Sequence, residues 1–169
     1  MANADSTTFA RPEIEPAITA LLKTPLGLGM DLFQLLDACE FHADALIEND
    51  DNTERMALCG RLLVGLEALK TVLKEPLPAH LVERLTVDIA EEDNYRSPLS
   101  TDSETLREYC VALTLLLLQH QQPEEKEAHI TEMLFELINV LAEDLKAPRF
   151  VRTDAGLVMI SGESKPDIH

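Results

Sequence analysis

The side chains able to do chemistry are few and scattered. Cys39 and His42 stand three residues apart, so one helical face could offer both to a soft metal ion. A zinc site needs two more ligands, and Cys59, Cys110 or His120 would have to converge from other helices. None of these belongs to a paired ligand spacing, so small core fillers are the simpler account and no metal or cofactor is expected. A carboxylate-bridged di-metal bundle would want Glu-x-x-His on two helices. The residues three before the histidines are Leu77, Cys39, Leu117, Lys126 and Pro166, so that pattern is missing. Phosphotransfer at His42 would want a nearby cation, whereas Glu40 and Asp44 flank it and would repel a phosphoryl donor. His42 therefore reads as a half-buried stripe residue with a hydrogen-bond partner.

Nucleophile and phosphate motifs are equally scarce. The chain has no GxGxxG, no phosphate-binding loop, no GxSxG and no HExxH. Gly27-Leu28-Gly29 precedes a helix without a strand before it, and a plain loop-to-helix transition explains it better than an anion cradle. The expectation is a non-enzymatic protein.

Charge is the strongest non-random feature. The 169 residues carry 31 Asp plus Glu against 14 Lys plus Arg, a formal charge of −17. The excess gathers in three places. Glu40, Asp44, Glu48, Asp50, Asp51 and Glu54 form the first cluster, without one Lys or Arg between them. Asp88, Glu91, Glu92 and Asp93 form the second. Glu124 and Glu125 lead the third, which continues through Glu127, Glu132 and Glu136 and contains Lys126. Such clusters either imitate nucleic-acid phosphates and dock on a basic protein patch, or simply keep the protein in solution. Nucleic acid and anionic membranes repel this charge, so neither is expected as a direct partner. The functional expectation is an acidic protein-binding module (an inhibitor, immunity-type protein, adaptor or phosphate-mimicking antagonist) that engages a partner's basic surface. The alternatives are a small-molecule or metal-binding bundle and a homodimeric structural protein.

These residues must be positioned by helices. Hydrophobic residues make up 46% of the chain and aromatics 4%, so it can bury a largely aliphatic core and is not a disordered acidic tail. Leu28, Leu32, Leu35, Cys39, His42 and Leu46 alternate spacings of four and three, predicting a helix over about 28–48. Phe33, Leu36, Ala43 and Ile47 widen its apolar stripe. Asp51, with Glu54 three residues on, caps a second helix to about 74, where Gly60 and Gly65 imply a close neighbouring helix. A shorter helix is expected at about 79–92, and a long one at about 102–121 opened by Thr101 and Glu104. Its Leu115–Leu118 run suggests a central or interface position. Pro123 in a first turn opens the last long helix, which carries Ile130, Met133, Leu134, Leu137, Ile138, Leu141 and Leu145 to Pro148.

The period then changes. Residues 150–153 and 157–160 flank a Gly-containing turn and predict a β-hairpin. The fold class expected is all-α: a bundle of about five to six helices, four of them long and amphipathic, with a small C-terminal hairpin. The divisions are a flexible arm over 1–11, the bundle over 12–148, the hairpin over 149–160 and a flexible tail over 161–169. The hairpin either packs on the bundle or pairs with another chain. No leader and no membrane span is expected, since the longest apolar run is far below the roughly 20 residues a bilayer requires. Three unpaired cysteines suit a reduced, cytoplasmic setting.

Overall fold

A computed structural model of the chain describes residues 14–88 and 96–160, with side chains from Ile18 onward. The expected arm, the tail and the acidic residues Glu91, Glu92 and Asp93 lie outside the described residues. Four long helices make the body: α2 (Leu32–Glu48), α3 (Asn52–Val72), α5 (Ser103–Gln119) and α6 (Glu124–Lys146). Two short ones, α1 (Ile14–Lys23) and α4 (Ala79–Arg84), lie before and between them. The long helices touch in a ring, α2 on α3, α3 on α5, α5 on α6 and α6 on α2, with successive members antiparallel. The helical-bundle class read from the sequence is the class observed.

The stripe periodicity built this core. Leu32, Leu35, Cys39, His42 and Leu46 are all buried, facing Leu58, Leu62, Leu66 and Leu69 of α3. Leu106, Cys110 and Leu117 of α5, with Leu134, Ile138, Leu141 and Leu145 of α6, close it. Gly65 permits the α2–α3 approach, because a Cβ there would stand 3.1 Å from Cys39 Sγ. Gly60 has no such neighbour, so the close approach expected at both glycines occurs at one.

Several boundaries move, each for a local reason. Leu28 is 76% exposed and precedes α2, because Asp31 and Gln34 form a reciprocal capping box that starts the helix later. At α5 the cap is Asp102, not Thr101: its carboxylate accepts from the Thr105 amide at 2.9 Å. Pro123 occupies the cap position of α6 rather than its first turn. Met133 points outward at 52% exposure, and Leu115 and Ile47 are also exposed. Only Leu117 of the Leu115–Leu118 run is fully buried.

The helix expected over 79–92 stops at Arg84. Leu85 ends it, and the β-branched pair Thr86–Val87 forms strand β1. That strand pairs in parallel with β2 (Phe150–Thr153), and β2 pairs antiparallel with β3 (Gly156–Met159). The hairpin is thus one part of a three-stranded sheet ordered β1-β2-β3. The amides of Arg149 and Phe150 both donate to the Leu85 carbonyl, at 2.9 and 3.1 Å, joining the end of α6 to the end of α4. Phe150 packs on the core. Gly156 takes φ +111°, which closes the two-residue turn at a backbone angle an L side chain would strain.

Candidate partner-binding surface

Antiparallel order brings distant parts of the chain to one end of the bundle. The C-terminus of α2 and the N-terminus of α3 meet there across residues 49–51. Arg55 of α3 donates to Thr131 Oγ1 of α6 at 2.9 Å, fixing the N-terminus of α6 at the same end. His120, which caps α5 in a left-handed conformation, places Nδ1 2.9 Å from Glu127 Oε1, a contact too poorly aligned for a hydrogen bond. The first and third acidic clusters therefore share one pole. The opposite pole carries the sheet.

The acidic pole is firmly built. Arg55 Nη1 donates to the carbonyls of Leu46 and Asn49, at 2.6 and 2.9 Å, satisfying backbone acceptors where α2 ends. Asn49 is buried; its Nδ2 donates to Glu54 Oε2 at 2.5 Å and its Oδ1 accepts from the Asp51 amide at 2.8 Å. Asp51 in turn accepts from the Glu54 amide at 2.9 Å, as its spacing in the sequence implied. Thr131 Oγ1 in turn donates a hydrogen bond to the Glu127 carbonyl at 2.8 Å. Asp44, Glu48, Asp50, Glu124 and Glu125 stay exposed around this framework. Arg55 is turned inward, and Lys126 is exposed among them.

The twelve residues singled out from the sequence thus separate into groups. Asp44, Glu48 and Asp50 are free surface carboxylates on the α2–α3 end, with Glu124 and Glu125 beside them on the first turn of α6. Asp51 and Glu54 are at the same end but serve the α3 cap and the connecting loop. Glu40 belongs elsewhere. Its carboxylate accepts from Lys146 Nζ at 2.6 Å, and Asp37 accepts from the same ammonium at 2.7 Å. Burial works against the Lys146 charge, but these two carboxylates outweigh it and hold its pKa above the ordinary lysine value. Asp88 stands 3.3 Å from Arg152 Nε on the sheet. Two carboxylates that look base-poor along the chain are therefore supplied with bases from about a hundred and about sixty residues away.

Sequence reasoning missed Arg55 and Arg61 because an isolated arginine carries no periodic signal. Arg61 Nε donates to His42 Nε2 at 3.2 Å, and its Nη2 donates to the Thr24 carbonyl. The remaining ring nitrogen, Nδ1, then carries the proton and donates to the Ala38 carbonyl at 2.6 Å. Burial, with the neighbouring guanidinium, holds the His42 pKa below its ordinary value despite the Ala38 bond. His42 is fully buried rather than half-buried, and it has the partner expected of it.

The metal and nucleophile readings find little support in the geometry. Burial pushes the thiols of Cys39 and Cys110 up to about 12 and that of Cys59 up to about 11. Protonated, enclosed thiols are poor nucleophiles and poor ligands. His120 is exposed at the end of α5, while the cysteines and His42 are buried. Among the described residues no three His, Cys, Asp or Glu side chains are grouped to hold a metal ion.

The described residues form a four-helix ring with a small sheet at one pole and exposed acids at the other. Compared with known proteins, the chain matches no family model, no curated protein and no solved structure. None of the described helices is long and apolar enough to cross a membrane.

Proposed function

We propose that this chain is a non-enzymatic protein-binding module whose acidic pole engages a basic patch on a protein partner, as an inhibitor, immunity-type protein, adaptor or phosphate-mimicking antagonist. The observation that carries the proposal is convergence. Carboxylates at 44–50 and at 124–125 are far apart in sequence, meet at one end of the bundle, and rest on a hydrogen-bonded scaffold. A field built this way speeds encounter with a basic surface and sets the salt dependence of binding. A rigid scaffold also limits the ordering cost of docking.

Affinity purification from native cells with salt-graded elution tests this reading. A specific protein should be retained at low salt and released as salt rises. Charge reversal by Asp44→Lys, Glu48→Lys and Asp50→Lys together should abolish retention while leaving the helical content intact. Recovery of no partner at low salt, or retention indifferent to salt, would count decisively against it. The reduced, cytoplasmic setting belongs to the same proposal, and the buried free cysteines support it.

A further inference from the structure

Among the described residues strand β3 forms an edge of the sheet, and its character is unlike the rest of this surface. Gly156-Leu157-Val158-Met159 has no charge and no proline, in a protein of net charge −17. Its three large side chains stand 49, 49 and 37% exposed. Soluble proteins normally blunt an open edge with lysine, proline or a bulge, because unpaired amides and carbonyls recruit another strand. None of those devices occurs within β3.

The register states which groups are open. Ile160 donates to the Arg149 carbonyl at 2.9 Å, and the opposed pairs continue as Phe150 with Met159, Val151 with Val158, Arg152 with Leu157 and Thr153 with Gly156. Hydrogen-bonded and non-bonded pairs alternate in an antiparallel ladder. The backbone of Val158 therefore faces β2, whereas the amides and carbonyls of Leu157 and Met159 face outward. Leu157 and Met159 share the sheet face of Phe150, which packs on the core; Val158 lies on the other face.

We propose that this edge pairs with the same edge of a second copy, antiparallel about a two-fold axis through Val158. Leu157 then exchanges both hydrogen bonds with Met159 of the second copy, and the reverse pair repeats them. The two Val158 side chains meet in the close, non-bonded position. The complementarity is isologous and requires nothing from outside the chain. Charge distribution favours this occupant. Two copies at −17 repel, and the sheet pole is where both signs mix: Arg152 pairs with Glu83 and Asp88, and Lys146 with Asp37 and Glu40. Sheet-to-sheet pairing keeps the two acidic poles farthest apart. Only three large side chains per copy are covered, so the dimer is weak, and residual repulsion makes salt strengthen it. That dependence is opposite in sign to the one proposed for the acidic pole, so the two readings fail separately.

Sedimentation equilibrium of the full chain over a concentration series, at low salt and at 0.5 M NaCl, provides the first measurement. Amide hydrogen exchange at the same concentrations provides the second. The expected result is a mass that rises with concentration and with salt, accompanied by growing protection at the Leu157 and Met159 amides against constant protection at Val158. Val158→Lys sets two like charges opposite each other and should raise the dimer dissociation constant about tenfold or more. A strict monomer at high concentration in 0.5 M NaCl would overturn the proposal. So would a dimer that survives Val158→Lys, or one without new protection at those two amides. Protection of both amides in the monomer would also overturn it, by assigning the edge to a segment of the same chain.

Discussion

Two arginines, one toward each end of the bundle, are served in opposite ways. Arg55, at the acidic pole, reaches three oxygens at 2.6–2.9 Å on α2, the connecting loop and α6. Arg107, on the first turns of α5 toward the sheet, is 1% exposed yet poorly served. Its Nη1 is 3.4 Å from the Leu66 carbonyl and 3.8 Å from Glu67, its Nη2 is 3.7 Å from Glu108, and its Nε has no partner among the described residues. One guanidinium organises its surroundings. The other is a desolvated charge with distant counterions. The contrast lies between these two guanidinium groups rather than between whole poles, since the buried Glu127 Oε1 at the acidic pole also lacks a hydrogen-bond partner among the described residues.

The largest way to break this contrast is Arg55→Ala. It leaves carbonyls at the end of α2 and the Thr131 hydroxyl without their donor, and should destabilise the protein by about 3 kcal/mol in urea unfolding. A loss below about 1 kcal/mol would mean the pole is held by packing alone. Next in size is Arg107→Met, which keeps length and removes the charge. Glu67 and Glu108 are exposed and remain solvated without it. The variant should gain about 1–2 kcal/mol, opposite in sign to the Arg55 result. A clear loss would show that the Leu66 and glutamate contacts are worth more than their lengths suggest.

A smaller contrast lies within α3. Gly60→Ala meets nothing within 4 Å and should add about 0.5–1 kcal/mol through helix propensity. Gly65→Ala gains the same propensity but sets its methyl 3.1 Å from the buried Cys39 Sγ, which must shift by a few tenths of an ångström, and should fall below wild type. Equal effects at the two sites would remove Gly65 as the reason α2 and α3 come so close.

These pairs mark what could be read from the sequence. The stripes on α2 and α6, the Asp51 cap and the final hairpin each depend on residues within one or two turns, and they stand in the structure except for Leu28, Ile47 and Met133, which are exposed. Gly60 and Gly65 look alike along the chain because the difference between them is Cys39 on another helix. Thr86–Val87 falls inside the helix expected over about 79–92; its strand partner lies more than sixty residues on, at Phe150–Val151. The acidic clusters were visible as clusters, but Lys146 and Arg152 removed members from two of them through contacts no local pattern encodes. Nor could spacing reveal that the first and third clusters share a pole, since that follows from the antiparallel ring.

The smallest expected effect sorts the acids that remain. Glu124 and Glu125 occupy the first turn of α6, where the helix dipole favours negative charge. Glu48 is the last residue of α2, where the dipole disfavours negative charge, and α2 has no basic residue in its last turn; Asp50 lies between that end and the α3 N-terminus, whose dipole favours it. At low salt Glu124→Gln should therefore lose about 0.5 kcal/mol and Glu48→Gln should gain about as much, the difference shrinking as salt screens both. The first pair has a structural reason to be acidic. Glu48 is acidic against the preference of its own helix, tolerated because Arg55 reaches the same end of α2. If the two variants differ in this sense, the carboxylates of α2 are those whose charge folding does not account for, and Asp44 and Glu48 become the centre of the surface a basic partner would recognise. If both variants lose stability alike, that distinction fails, and the two clusters stand as equal contributors to the pole.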